Sequence, residues 1–256
     1  MQDRYVGDAG DFGKYGLLRH LAEASASGTH FRLGVIWYLV DDESGNKNGR
    51  HLSYLSDPAL MECDSDLRGV LKEIVEGDER CVSLIEQREV LPQGTVFFSE
   101  RLPSDGPMAR IVRTAQRHEW FGRALLVTQG CDLVFLDPDN GLEIASAPRG
   151  SPRSHKHVLM REVQVLLARA QSVLVYQHMH RRGPHKAQVA EGLARLRQTF
   201  PDVPSISAAT FRRGSARTFF LLTCRVHDAL LRQRLDSLSR SGWGSLFEIS
   251  YDVRKV

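Results

Sequence analysis

The chain has 256 residues, 42% hydrophobic and 25% charged, with 34 Lys+Arg against 31 Asp+Glu. That composition excludes collagen-like, low-complexity and disordered chains, and the length suffices to bury a substantial core. The net charge of +3 hides an asymmetry: residues 1–147 carry 15 Lys+Arg and 24 Asp+Glu, residues 148–256 carry 19 and 7. The second half is the half suited to a polyanion.

Phe12, Tyr15, Leu18 and Leu21 recur at helical spacing and predict a helix near the start. Residues 33–40 (Leu-Gly-Val-Ile-Trp-Tyr-Leu-Val) form a continuous apolar run of strand length. An acidic, Gly-rich loop follows at 41–50. Residues 66–76 read as a helix, 96–98 as a short strand and 107–128 as a long amphipathic helix. The segment 132–137 (Asp-Leu-Val-Phe-Leu-Asp) reads as a strand, 158–170 as a helix and 172–177 as a strand. Loops are expected at 102–107, 146–157 and 181–186. A helix at 187–200, strands at 205–211 and 217–224, a helix at 228–238 and a strand at 246–251 complete the pattern.

Helices alternating with wholly apolar strands predict a mostly parallel sheet with helices on both faces, ending in an antiparallel hairpin. In such sheets ligands meet the carboxyl ends of the strands. Three strand ends turn polar there: Asp41-Asp42, Asp137-Pro138-Asp139-Asn140, and Gln177-His178.

The strand ending in Asp137-Pro138 resembles the strand of amino-methyltransferases that ends in Asp/Asn-Pro-Pro-aromatic. It departs from that motif at Asp139 and Asn140, where the base-stacking aromatic is missing. The bland alternative is a strand-end turn in which Gly141 supplies a positive φ. A second segment, Tyr5-Val-Gly-Asp-Ala-Gly-Asp-Phe-Gly-Lys-Tyr15, resembles the opening motif of the bacterial 23S rRNA adenine-N6 methyltransferases, His-Ala-Gly-Asn-His-Ala-Asp-Val-Leu-Lys-His. Gly7, Asp11 and Lys14 match without gaps, and Asp8 stands for the Asn. The order of elements after Asp137 also follows that family.

The resemblance implies one three-layer Rossmann-like methyltransferase-type domain over 1–256, with an N-terminal capping helix and a helical insertion near 55–90. It implies S-adenosylmethionine as cofactor and a nucleic-acid base amine as target. Asp137 and the Pro138 carbonyl would accept from the amine, with Asp139 and Asn140 completing the catalytic loop. Gly7, Asp8, Asp11 and Lys14 would line the cofactor side, and Asp41, by its place at the end of the first strand, would join them.

Basic loops at Arg153 and Lys156, at Arg181, Arg182 and Lys186, and at Arg212 and Arg213 are suited to the phosphates of DNA or RNA. Trp37, Tyr38 and Tyr176 are aromatic candidates for base stacking, or core residues. Two alternatives stay open. Asp137, Asp139, Glu143, Glu162 and His178 are ligand types for Mg²⁺ or Mn²⁺ in a metal-dependent nuclease or phosphodiesterase. The chain is otherwise a non-catalytic nucleic-acid-binding relative. Cys63, Cys81, Cys131 and Cys224 lack metal-knuckle spacing and read as reduced thiols of a cytoplasmic chain, with no run long enough to span a bilayer.

Overall fold

The structure is a computed structural model and describes residues 1–23, 28, 30–42, 49, 51–60, 62–77, 79–103, 109–180 and 183–252. In chain order the elements are α1 (Ala9–Ala22), β1 (Leu33–Ile36), α2 (Ser65–Glu76), α3 (Val82–Gln87), β2 (Val96–Phe98), α4 (Arg110–Val127), β3 (Leu133–Leu136), β4 (Gly141–Leu142), β5 (His157–Val158), α5 (Met160–Ala168), β6 (Ser172–His178), α6 (His185–Thr199), β7 (Ile206–Phe211), β8 (Arg217–Leu222), α7 (Asp228–Leu238) and β9 (Phe247–Tyr251).

Seven strands form one mixed sheet in the order β2-β1-β3-β6-β8-β7-β9. β2, β1, β3 and β6 run parallel, while β8 is antiparallel to both β6 and β7. β7 therefore runs in the same direction as β6, with the reversed strand β8 inserted between them. β9 closes the edge, antiparallel to β7. The protein is thus α/β, with a parallel N-terminal part, antiparallel C-terminal strands and, among the described residues, seven α-helices.

Strand alternation divides the core between two faces. Leu33, Val35, Leu133, Phe135 and Leu174 pack with Phe12 and Tyr15 of α1, Leu71 of α2 and Leu231 of α7. Ile36, Val134, Leu136, Val173 and Val175 pack with Trp120 of α4, Val163 of α5 and Leu193 of α6. α1 lies close to its neighbours because it carries glycines where they approach. An added Cβ would fall 2.6 Å from the Phe211 ring at Gly13 and 2.2 Å from the Trp243 ring at Gly16.

β1 ends at Ile36 rather than running to Val40, because Tyr38 takes a φ of 46°. That left-handed backbone costs a non-glycine residue about 1–2 kcal/mol and turns the chain out of the ladder. Trp37 and Tyr38 are wholly buried, which corrects their candidacy as stacking platforms. The two-residue pair β4–β5 was not foreseen, while the short helix α3 falls within the span 55–90 where a helical insertion is expected. The loop expected at 181–186 yields to α6 from His185.

Candidate active site

β1, β3 and β6 deliver their carboxyl ends to one rim, and the N-terminal end of α1 lies over it. Asp8 caps α1, its Oδ1 accepting from the backbone N–H groups of Gly10 (2.7 Å) and Asp11 (3.0 Å). An Asn would serve equally well as an N-cap. Arg217, the first residue of β8, donates from Nη2 to Asp8 Oδ2 at 2.8 Å. Its guanidinium lies where a side chain at position 10 would stand, and Gly10 leaves that space open. Gly7 has φ 76°, and its N–H donates to Asp11 Oδ2 at 3.0 Å.

One turn into α1, Lys14 reaches the end of β3. Its Nζ lies 2.7 Å from Asp11 Oδ1 and 2.8 Å from Asp137 Oδ2. The rings of Tyr15 and Trp37 face the same ammonium, with centroids at 5.0 and 5.6 Å. Tyr15 donates its hydroxyl to Asp11 Oδ2 at 3.1 Å. All three charged groups are buried. Burial pushes the Asp137 carboxyl above the usual carboxylate range, with Lys14 and the Met1 ammonium opposing it. Burial raises Asp11 likewise, against Lys14. Burial also disfavours the Lys14 charge, but Asp11 and Asp137 together outweigh it and hold the ammonium above its ordinary pKa. Among the described residues no hydrogen bond engages Asp137 Oδ1.

The last ladder bond before the loop runs from Asp137 N–H to Ile36 C=O, at 3.0 Å. Pro138 has no N–H to continue it. Gly141 follows with φ 121°, as the Asp-Asn-Gly reversal predicts. A Cβ there would meet Gln177 Oε1 at 2.3 Å. Gln177 instead fastens the loop, accepting from Leu142 N–H at 3.0 Å and donating to Asn140 C=O at 3.1 Å.

A further group was not anticipated. The amino group of Met1 donates to the carbonyls of Tyr38 (3.0 Å) and Asp137 (3.2 Å) and lies 3.0 Å from Asp139 Oδ1. Gln2 donates to Asp139 Oδ2 at 2.7 Å. Burial alone would raise Asp139, but the Met1 ammonium and Gln2 outweigh it and hold the carboxyl below the usual range. The ends of β1 and β3 therefore make a cradle of two carbonyls and one carboxylate that accepts an α-ammonium.

Asp41 is not part of this cluster. It is exposed and pairs with Arg101 at 2.9 Å. The proposed metal set is not assembled either: among the described residues no group of three or more His, Cys, Asp or Glu side chains could hold an ion. Glu162 is engaged elsewhere, accepting from Arg117 Nε (2.7 Å) and Nη2 (2.9 Å), the Tyr38 hydroxyl (2.9 Å) and Leu159 N–H (2.9 Å). That buried pair holds α4 to α5. Glu143 is half-buried and His178 exposed, the latter 3.3 Å from the Tyr176 hydroxyl. Asn140 is exposed.

Of the basic candidates, Lys186 and Arg212 both pair with Glu248, and Arg213 lies 3.4 Å from Asp57. Arg153 is exposed and Lys156 half-buried, and Lys156 C=O accepts from Asn140 N–H at 2.9 Å. Arg181 and Arg182 lie outside the described residues. A groove of about 1360 Å³ between α6 and the β7–β9 edge includes Lys186, Arg212 and Glu248 among its lining residues and none of the Asp137 cluster. The sequence marked Arg217 as one more charge of the basic turn at 212–217, not as the partner of Asp8. Nothing in the sequence marked the carbonyl of Tyr38.

The fold and rim define a Rossmann-like α/β protein with a buried acid–lysine–acid cluster at its strand ends. No family model matches the chain, and no curated protein matches it. Among solved structures it is similar to protein LPL1258 from Legionella pneumophila str. Philadelphia 1, described by the family model DUF519. The two share 10% identity at a TM-score of 0.46, over 98% of this chain and 97% of that one. Among the described residues no helix is long and apolar enough to cross a membrane.

Proposed function

We propose that the chain is an S-adenosylmethionine-dependent methyltransferase-like protein acting on a base amine of DNA or RNA. The observation that carries this reading is the convergence of two motifs. Asp11 and Lys14 from the N-terminal segment meet Asp137 from the Asp-Pro strand, over a chain separation of 123 residues for Lys14 and Asp137. The reversed strand β8 fits the hairpin that the resemblance implies.

The donor set also suits the cofactor. The Tyr38 and Asp137 carbonyls and the Asp139 carboxylate hold a methionine α-ammonium, that of Met1, and S-adenosylmethionine carries the same group. Among the buried side chains beside them, Asp8, Asp11 and Asp137 outnumber Lys14 and Arg217 by one, which favours a cationic ligand. Binding requires Met1 and Gln2 to give way.

When bound, the cofactor supplies an electrophilic methyl group on a sulfonium sulfur. Asp137 Oδ1 would accept one N–H of the amine and the Pro138 carbonyl the other, which would fix the orientation of the target nitrogen. Lys14 fixes Oδ2 and thereby the orientation of that acceptor. Catalysis of this kind is chiefly positioning. Asn140 stands where the stacking aromatic would be, and Tyr176, near the carboxyl end of β6, would take that part. Lys156 and Arg153, with Arg181, Arg182, Lys186, Arg212 and Arg213, would meet phosphates. The test is methyl transfer from labelled S-adenosylmethionine to DNA and RNA. Asp137→Asn should abolish it with the fold intact, and unchanged transfer removes Asp137 from the mechanism.

A further inference from the structure

A second constellation lies at the opposite end of the sheet. Asp132 immediately precedes β3, Ser172 opens β6, Cys224 follows β8, and His227 caps α7. These four come together around the imidazole. Cys224 Sγ is 3.0 Å from His227 Nδ1, and Ser172 Oγ is 3.2 Å from the same nitrogen. Ser172 Oγ lies 3.6 Å from Cys224 Sγ and accepts from Cys224 N–H at 3.0 Å. On the far side of the ring, Nε2 faces Asp132 Oδ1 at 3.7 Å. The Phe31 ring packs edge-on against the imidazole.

The arrangement has the logic of an activated nucleophile: a thiol on a base, and a carboxylate behind the base. A carboxylate facing Nε2 favours the proton there, which leaves the Nδ1 lone pair toward the thiol. Burial holds His227 below the ordinary histidine value against the pull of Asp132, so the ring is neutral and able to take a proton. The other described cysteines differ. Burial pushes the Cys131 and Cys63 thiols up. Cys63 donates to the Gly242 carbonyl and Cys81 lies beside Ser83 Oγ. Cys224 itself is only 8% exposed, under a turn whose Arg225 and Val226 are exposed. That burial shields the sulfur from bulky substrates and favours a reagent of a few atoms.

We propose that Cys224 is a peroxide-reactive thiol, with His227 as the base that takes its proton and Asp132 as the group that orients that base. The sulfur attacks one oxygen of hydrogen peroxide, the S–O bond forms and the O–O bond breaks. The departing hydroxide takes the proton held by His227 and leaves as water. Sulfur is oxidised by two electrons to a sulfenic acid, and the peroxide is reduced. The Ser172 hydroxyl and the His227 ring stand ready to hydrogen-bond the new oxygen.

The test treats the reduced full chain with hydrogen peroxide for a set time, removes the excess with catalase and then unfolds the chain in dimedone, which traps sulfenic acids, with labelling read at each cysteine by peptide mass spectrometry. Cys224 should label about tenfold or more faster than Cys63, Cys81 and Cys131, and His227→Gln should slow Cys224 by a similar factor while leaving the others unchanged. Asp132→Asn should slow it less. Labelling of Cys224 no faster than that of Cys131 in the unmodified chain overturns the proposal, as does an unchanged Cys224 rate in folded His227→Gln. Should that variant unfold and label at all four sites, the ranking in the unmodified chain decides.

Discussion

Lys14 and Asp137 share a 2.8 Å ion pair at the sheet rim, across 123 positions of sequence. Asp11 holds the same ammonium from the other side at 2.7 Å, so one lysine stands between two buried carboxylates. Removing the cation takes away the ion-pair partner that both buried acids share. Lys14→Met should therefore destabilise the fold by about 3–5 kcal/mol, read as a lowered urea midpoint at unchanged m-value. A loss within about 0.5 kcal/mol would mean that the acids are protonated or hydrated once the lysine is gone.

α1 reaches the rim only because its glycines let it lie against Phe211 and Trp243. Gly16→Ala places a methyl 2.2 Å from the buried Trp243 ring. The expected cost is about 1–3 kcal/mol by thermal or chemical denaturation, despite the better helix propensity of alanine.

His20, His155, His157 and His227 all titrate below the ordinary value of 6.5, in each case chiefly because burial disfavours the charged ring. The unfolded chain then takes up protons first as pH falls. Their contribution to stability is fully present above 6.5 and is lost as pH drops through the folded values. The urea midpoint should be lower at about pH 5.5 than at about pH 7.5, and His157→Gln should flatten that dependence.

Glu162 cannot serve a metal while Arg117 and Tyr38 occupy it. Millimolar Mn²⁺ should leave the melting temperature unchanged, and Glu162→Ala should cost about 3–5 kcal/mol by stranding buried Arg117. A Mn²⁺-dependent rise that Asp139→Ala erases would restore the metal reading.

The parts of the fold that the sequence made readable are those written in local periodicity. α7 falls on residues 228–238, and the parallel strands begin within the apolar runs at 33–40, 96–98, 132–137 and 172–177. β1 was overextended because the run to Val40 stays apolar after Tyr38 leaves the ladder. The β4–β5 pair is two residues long and has no periodicity to read. At the site, Asp137 was legible as a polar residue ending an apolar strand. The resemblance set Lys14 and Asp137 at one site, but their ion pair was not read from the sequence, because no local pattern connects α1 to β3. Arg117 looked like one more charge on the polar side of α4, so the capture of Glu162 was invisible. Asp41 was placed by its position after β1, yet the turn at Tyr38 redirects the chain and leaves it on Arg101.

The most direct measurement is calorimetric titration of the purified chain with S-adenosylmethionine. The account predicts a saturable heat that Asp139→Ala weakens by about tenfold or more, since that side chain supplies the charged arm of the ammonium cradle. Absence of any heat with millimolar ligand would contradict it.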